Sequence, residues 1–245
     1  MSNTLIKIYM GLINRVGFLR RFRSKLIHNV YSFNSLPITK VFPGIGSVKI
    51  DLIGLEYKYL GDDGEIITSP NDMVAICAII KHIGAKKIFE LGTALGLSTL
   101  QFVKNSDDDA IIYTIEREAA QYSKTYRSYF LNEIDLTPEQ IVGWYYKNTD
   151  FKNKIIQLRG DTLTYDFGLY YNKIDLVFID ACHGFRSVEK DSHTALKMLS
   201  EKGVIVWHDY NIAFPDVIKY LHRLSKKIRL YYITGTNIVV YKKNI

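Results

Sequence analysis

Cysteine and proline are scarce in this 245-residue sequence, which contains two of the first and five of the second. Cys77 and Cys182 lie far apart, so neither fits the paired spacing of a zinc site or of a secreted disulfide framework. Hydrophobic residues make up 47% of the chain and charged residues 23%, which excludes a disordered or fibrous protein. We therefore expect one globular domain in a reducing, intracellular compartment, with a core that needs no disulfide or structural metal.

Acidic residues are absent from the first 50 positions, which contain eight lysines and arginines. The remainder of the chain holds 24 basic and 25 acidic residues, so the net charge of +7 belongs to the N-terminal segment. A nearly neutral main domain lacks the basic surface that nucleic-acid-binding proteins present. We predict no nucleic-acid partner, and we divide the chain into a basic appendage, residues 1–50, and a main domain, residues 51–245.

Long apolar runs are also missing, so the sequence predicts no membrane-spanning helix. Lys7, Asn14 and Arg15 interrupt the N-terminal apolar stretch, and no small-residue cleavage site follows, which argues against a secretory signal. Residues 5–27 can instead form an imperfect amphipathic helix with a basic side. Three interpretations stay open for a cytoplasmic protein: contact of residues 1–30 with an anionic membrane surface, packing on the main domain or a second subunit, and an organelle-targeting or nucleic-acid role.

In the main domain, short β-branched segments alternate with longer helical ones, the order that predicts βαβ units and a parallel sheet. Helices are predicted at 71–83 and 185–199, and two more between the second and third strands, of which the second carries the aromatic residues 144–146. Only Gly235 and Thr236 separate the last two strands, so these must form an antiparallel hairpin. The predicted strands, numbered one to seven, are 86–91, 110–116, 154–159, 174–180, 203–209, 228–234 and 237–242.

The most informative segment is Phe-Glu-Leu-Gly-Thr-Ala-Leu-Gly-Leu-Ser-Thr, residues 89–99, between the first strand and a helix. A glycine loop at this place lets a ligand approach the backbone, and the helix N-terminus offers free amide donors. Dinucleotide-binding loops need the pattern G-x-G-x-x-G, but Ala94 and Leu97 stand at its third and sixth positions. The segment resembles the first motif of the class I S-adenosylmethionine-dependent methyltransferases.

That resemblance implies a Rossmann-like α/β fold with the strand order 3-2-1-4-5-7-6 and the seventh strand antiparallel to the rest. It also implies that Glu90 binds the methionine ammonium group of S-adenosylmethionine and that the loop accommodates the methionyl portion. The loop residues assigned to the cofactor are Gly92, Thr93, Ala94, Gly96 and Ser98.

Two acids at the ends of the next strands extend this predicted cofactor site. Glu116 ends the second strand, where a carboxylate can accept hydrogen bonds from both ribose hydroxyls. Dinucleotide-binding proteins share an acid at this position, so Glu116 does not discriminate between the two families. Asp161 follows the third strand, and the resemblance implies that it approaches the adenine amino group. Capping of the next helix is an equally good interpretation of Asp161, and the two roles are compatible.

Asp180 and Asp209 end the fourth and fifth strands, and neighbouring parallel strands bring such residues close together at the mouth of a cleft. Two close carboxylates repel each other, which a divalent cation, a cationic neighbour or a raised pKa relieves. This portion of the chain, and the order of motifs across residues 66–243, resembles the metal-dependent O-methyltransferases. These enzymes act on catechols and, in the closer branch, on the sugars of macrolides and related glycosides.

The second resemblance implies that Asp180 and Asp209 bind a divalent metal, Mg²⁺ or Mn²⁺, and that His183 is the catalytic base. Asp180 is thereby assigned to catalysis and to the cofactor site as well. His208 stands where the family has an acid beside Asp209, so we place it third among the metal ligands. An imidazole ligand would shift the preference toward manganese, iron or zinc, and Asn211 is an alternative oxygen ligand. A loop residue hydrogen-bonded to Asp180 remains the other interpretation of His183.

We therefore predict an S-adenosylmethionine-dependent O-methyltransferase that acts on a hydroxyl of a small molecule, a glycan or glycoside in preference to a catechol. An NAD(P)-dependent oxidoreductase and a catalytically idle binding subunit are the alternatives. A base-amine methyltransferase of nucleic acids is disfavoured, because residues 180–183 read Asp-Ala-Cys-His where that class has two prolines. We expect a homo-oligomer, with an acceptor pocket formed by residues 41–63, the helix bearing residues 144–146 and the loop after Tyr210.

Overall fold

An eight-stranded β-sheet forms the centre of the computed structural model, which describes residues 33–53, 69–117 and 138–243. The strands are β1 (Ser35–Leu36), β2 (Lys87–Leu91), β3 (Ile111–Glu116), β4 (Ile155–Arg159), β5 (Ile174–Ile179), β6 (Leu199–Trp207), β7 (Tyr231–Ile233) and β8 (Val239–Lys242). The helices are α1 (Ile38–Val41), α2 (Pro70–Ile83), α3 (Leu97–Lys104), α4 (Pro138–Ile141), α5 (Trp144–Lys147), α6 (Phe185–Met198) and α7 (Pro215–Leu224).

The order of the sheet is β1-β7-β8-β6-β5-β2-β3-β4. β8 runs antiparallel to β6 and β7, whereas the remaining strand pairs are parallel. Strands β2 to β8 therefore have the predicted order, and the α/β fold with an antiparallel C-terminal hairpin is confirmed. The predicted number of seven strands is corrected to eight by β1, which pairs with β7 at the edge. Two residues are too short to show an alternation of apolar and polar side chains, so sequence alone does not reveal such a strand.

β6 departs most from its predicted span of 203–209. It begins earlier because Leu199 pairs with Ile174, ahead of an irregularity after which Leu176 pairs with Val204. It ends earlier because Asp209 has a φ of 59°, in the left-handed region that an extended strand does not use. The turn after β6 therefore starts before Asp209, and this residue lies just beyond the carboxyl end of the strand.

Apolar side chains fill the layers on both faces of the sheet. Leu176 and Phe178 of β5 pack in the layer with α2 and α3, whereas Val177 and Ile179 pack in the layer with α6 and α7. A strand buried on both faces needs apolar residues at every position, which explains the continuous apolar runs of the sequence.

The predicted helices at 71–83 and 185–199 are α2 and α6, whose ends differ from the predictions by one residue. The Ser69 hydroxyl caps α2 by accepting a hydrogen bond from the Asp72 N–H at 3.2 Å. Gly84, with a φ of 59°, ends this helix. Of the two helices predicted between the second and third strands, the aromatic one is present as the short α4 and α5. The other falls within residues 118–137, outside the described part of the chain.

The helix predicted at 5–27 and the membrane contact predicted for residues 1–30 also lie outside the described residues. Residues 33–50 of the predicted appendage lie against the main domain, where Val41, Phe42 and Ile45 are buried. The domain boundary at residue 50 stays a prediction. Among the helices that the structure describes, none is both long and apolar enough to span a bilayer.

Candidate functional site

The loop between β2 and α3, residues 92–96, lies against the end of β5. Gly92 has a φ of 100°, and a Cβ atom at this position would lie 2.3 Å from the carbonyl oxygen of Asp180. The Asp180 N–H in turn donates to the Leu91 carbonyl at 2.9 Å. Only glycine combines this conformation with such a close approach. The glycine loop and the turn that begins at Asp180 therefore form one continuous rim at the carboxyl ends of the strands.

Tyr146 of α5 covers the other end of this loop. A Cβ atom on Gly96, whose φ is 77°, would lie 2.5 Å from the Tyr146 ring. The backbone N–H groups of Gly143 and Tyr145 donate to the carbonyls of Ala94 and Leu95, each at 3.0 Å. Segment 143–147 is therefore hydrogen-bonded directly to the glycine loop.

Glu90 lies beneath the loop with 1% of its surface exposed. Its Oε2 accepts hydrogen bonds from the Thr99 hydroxyl at 2.5 Å and the Thr114 hydroxyl at 2.7 Å. Burial raises the pKa of Glu90 to about 8, and the two hydroxyl bonds only partly oppose this effect. A carboxyl group in this state gains stability as an anion when a cation comes within reach, which suits an ammonium ligand.

Glu116 is engaged by the glycine loop itself. Its Oε2 accepts hydrogen bonds from the backbone N–H groups of Thr93 at 3.1 Å and Ala94 at 2.8 Å, and its Oε1 accepts from the Arg117 N–H at 2.9 Å. These bonds bring the end of β3 to the loop and leave a carboxylate at the rim. The ribose role of Glu116 stays a prediction.

Asp161 closes the turn after β4 by accepting a hydrogen bond from the Leu163 N–H at 2.9 Å, and it forms an ion pair with Arg117 at 3.6 Å. It caps a turn and not a helix, and its predicted contact with adenine stays a prediction. Ser98 lies half-buried in the first turn of α3. The structure thus gathers the predicted cofactor residues along the carboxyl ends of β2, β3, β4 and β5.

A second cluster lies where β5 and β6 end. His183 Nε2 lies 2.5 Å from Asp209 Oδ2 and 3.9 Å from Asp180 Oδ1. Burial alone would lower the pKa of His183, but the hydrogen bonds and charges of the two carboxylates raise it to about 9. The same contacts, together with His208, hold the pKa of Asp209 below its ordinary value against the effect of burial. The Phe214 ring packs on the imidazole of His183, with 4.1 Å between the ring centroids.

His208 lies behind this cluster and bridges three carboxylates. Its Nδ1 lies 3.2 Å from Asp180 Oδ1 and from Asp209 Oδ1, and its Nε2 lies 3.2 Å from Asp72 Oδ2. Burial lowers the pKa of His208, whereas the facing carboxylates raise it well above its ordinary value. Carboxylates thus face both ring nitrogens of His208, an arrangement that favours the protonated imidazole.

The glycine loop and the His183 cluster both lie within the part of the chain that matches a known protein family. A family profile described as a methyltransferase domain matches residues 89–210, about half of the chain. The chain belongs to the class I S-adenosylmethionine-dependent methyltransferases. No curated protein sequence matches this methyltransferase.

Two examples illustrate the solved structures with a similar fold. The first is a provisionally assigned caffeoyl-CoA O-methyltransferase of Staphylococcus aureus, 19% identical, with a TM-score of 0.52 over 72% of this chain and 84% of its own. The second is a methyltransferase of Podospora anserina with S-adenosylhomocysteine bound, 14% identical, with a TM-score of 0.54 over 93% of this chain and 95% of its own. At these identities the likeness concerns the fold. The family assignment sets aside the oxidoreductase alternative.

The methyltransferase also carries a set of side chains that fits a divalent cation. Within the described residues, one ligand atom from each of Asp180, His183 and Asp209 lies within 4.8 Å of the other two. Carboxylate oxygens with one imidazole suit Mn²⁺, Fe²⁺ or Zn²⁺, and carboxylates alone suit Mg²⁺. The charges fit as well, because the carboxylates of Asp180 and Asp209 converge on this position.

His208, predicted as a ligand, is not part of that set. Both of its nitrogens face carboxylates, and His183 takes its place among the atoms that converge. The ligand roles of Asp180, Asp209 and His208 stay predictions.

Sequence reasoning did not single out Asp72, Gln157 or Phe214. Asp72 stands in the first turn of α2, where acids are common because they interact favourably with a helix N-terminus, so nothing marks it as unusual. Gln157 lies in the middle of β4 and Phe214 in a loop, and neither belongs to a recognisable motif. Their positions became evident only from the three-dimensional arrangement.

Proposed function

We propose that this methyltransferase transfers the sulfonium methyl group of S-adenosylmethionine to a hydroxyl oxygen of a small molecule, and that His183 accepts the hydroxyl proton. The position of His183 is the observation that supports this most. Its imidazole lies at the carboxyl edge of the sheet, in contact with Asp209 and beside the Asp180 turn that touches the glycine loop. A base next to the donor site suits attack by an oxygen, because the oxygen becomes a stronger nucleophile as its proton leaves.

The donor would lie along the glycine loop. Glu90, which is buried beneath the loop, is assigned to the methionine ammonium group. Gly92 and Gly96 let the loop pack closely against the Asp180 turn and the Tyr146 ring, which fixes its shape. We assign the ribose hydroxyls to Glu116 at the end of β3 and the adenine amino group to Asp161 after β4. In-line attack on a methyl group depends mainly on positioning and on the electrostatics of the site, which these contacts provide.

Asp180 and Asp209 would hold a divalent cation, and His183 beside them would act as the base and not as a ligand, because its Nε2 cannot do both. When bound, such a cation lowers the pKa of an acceptor hydroxyl. In the chain itself, the two carboxylates keep His183 protonated at neutral pH, since its pKa lies at about 9. His183 therefore accepts a proton only when the influence of these carboxylates is offset or when the pH approaches that value.

We propose a glycan or glycoside as the acceptor, in line with the sugar-modifying branch that residues 66–243 resemble. Phe214 supplies an apolar surface against His183, and the rim beside it is polar, an arrangement that suits a sugar ring with one apolar face. A phenolic acceptor is the second candidate, favoured by the fold likeness to the S. aureus protein. Turnover of labelled S-adenosylmethionine with a panel of glycosides and catechols distinguishes the two.

Replacement of His183 tests the proposal. We expect His183→Ala to retain donor affinity in calorimetric titration while its turnover falls by roughly 10²-fold or more, as for loss of a general base. His193→Ala is the matched control, because His193 lies exposed on α6 and should leave turnover unchanged. Undiminished turnover in His183→Ala would remove this residue from the reaction. Donor binding without transfer to any acceptor in the wild type would instead support the idle binding subunit.

A further inference from the structure

Asp209 is held in a conformation that costs free energy. Its φ of 59° is uncommon for a residue with a side chain, and such a backbone persists only where the surroundings fix it. The turn has a support on each side of Asp209. The His208 side chain contacts the Asp209 carboxylate on one side, and the Tyr210 N–H donates to the Asn237 carbonyl at 2.9 Å on the other.

One carboxylate joins both supports. Asp72 Oδ1 accepts a hydrogen bond from the Asn237 N–H at 2.7 Å, and Asp72 Oδ2 lies 3.1 Å from the Asn237 side-chain nitrogen and 3.2 Å from His208 Nε2. Asp72 has no exposed surface, and it lies in the first turn of α2. It therefore holds His208 and Asn237 in fixed positions relative to each other.

We infer that Asp72 is a positioning residue for the proton-accepting site: through His208 and Asn237 it sets where Asp209 meets His183. This inference rests on the proposed role of His183. Asp72 and Asn237 both lie outside the residues that the methyltransferase profile matches, so family membership does not assign them. The path runs from Asp72 through His208 to Asp180 and Asp209, and from Asp209 to His183. Asp72 touches neither His183 nor the glycine loop in these contacts.

The inference is tested with Asp72→Asn, which keeps the shape of the side chain. The amide can still accept from the Asn237 N–H, but it places a donor or a weaker acceptor against His208. The matched control is Asp175→Asn. The Asp175 carboxylate also accepts backbone hydrogen bonds, from Lys86 at 3.1 Å and Lys87 at 3.0 Å, but it lies where β2 and β5 begin, at the opposite edge of the sheet.

The first readout needs no acceptor. In protein labelled with ¹⁵N-histidine, Asp72→Asn should displace the ring signals of His183, although the two residues are not in contact, and leave those of His193 unchanged. Asp175→Asn should leave both in place. Folded Asp72→Asn with the wild-type signals of His183 would overturn the inference. Should Asp72→Asn fail to fold, Asp72→Glu, which keeps the charge facing His208 but moves the carboxylate by one methylene, takes the same measurement with the same two outcomes.

The second readout is kinetic. We expect Asp72→Asn to lower kcat by about 10- to 100-fold, the usual effect of removing an orienting partner, with the affinity for S-adenosylmethionine unchanged. A merely structural role would weaken donor binding and turnover together. The double variant Asp72→Asn/His208→Gln should have a kcat little lower than that of His208→Gln alone, because both residues act along one path. Wild-type protein that binds the donor but transfers no methyl group would contradict the proposed function, whereas the histidine signals would still decide the role of Asp72.

Discussion

Glu90 shows how a single buried carboxyl group can be kept ready for a cationic ligand. An isolated carboxylate in an apolar environment is costly, so burial favours its protonated form. Two threonine hydroxyls donate to the same oxygen and compensate for only part of this cost. In the proposed donor site, the methionine ammonium group would supply the missing counter-charge.

The raised pKa of Glu90 predicts that donor affinity depends on pH. Below a pKa of about 8 the carboxyl group is mostly protonated, so it must lose a proton before it pairs with an ammonium group. The affinity for S-adenosylmethionine should therefore increase as the pH rises through about 8. Calorimetric titrations at a series of pH values measure this affinity. Glu90→Gln, whose side chain cannot become an anion, should bind S-adenosylmethionine weakly and with no increase in affinity as the pH rises. Equal pH dependence in the two proteins would show that Glu90 does not bind the ammonium group.

At the scale of elements, the α4–α5 segment acts as a cover for the glycine loop. The Tyr146 hydroxyl donates to Gln157 on β4, and the Gln157 amide donates to the Thr93 hydroxyl at 3.1 Å. This chain of hydrogen bonds links α5, β4 and the loop. Burial raises the pKa of Tyr146 above its ordinary value, so its hydroxyl stays protonated and can donate.

Removal of the Tyr146 hydroxyl should weaken this link. Tyr146→Phe is expected to lower the free energy of unfolding by about 1 kcal/mol, the usual net value of one hydrogen bond, and to weaken donor binding because the loop loses a support. Urea denaturation and donor titration measure the two effects. The control is Tyr145→Phe, since Tyr145 is 38% exposed and its substitution should change neither quantity. If the two variants behaved alike, the cover would have no special role.

At the scale of the whole molecule, the sequence predicted what depends on local pattern. The strands and the antiparallel hairpin follow from apolar runs separated by helical segments and from a connection too short for a crossover, whereas the order of β2 to β8 was implied by the resemblance to the methyltransferases. Glu116, Asp180 and Asp209 were predicted because they stand at the ends of such strands, where a parallel sheet collects its site residues, whereas the roles of Glu90 and His183 came from the resemblance to the methyltransferases. β1 is too short to show an alternation of apolar and polar residues. Asp72 looks like an ordinary acid in the first turn of a helix, and only the fold brings it against His208 and Asn237. Contacts between residues that are distant in the chain cannot be recognised from a single sequence.

The central claim, that the glycine loop binds S-adenosylmethionine beside an acidic centre able to hold a metal, is tested most directly by calorimetric titration. The purified protein is titrated with S-adenosylmethionine, with NADH as the control, in chelator and again with Mn²⁺ or Mg²⁺. We predict that S-adenosylmethionine binds in each condition and NADH in none. We also predict a separate heat of metal binding that Asp180→Asn and Asp209→Asn abolish. Binding of NADH, or of neither compound, would contradict the assignment of the loop, and a metal heat that survives both substitutions would contradict the assignment of the acidic centre.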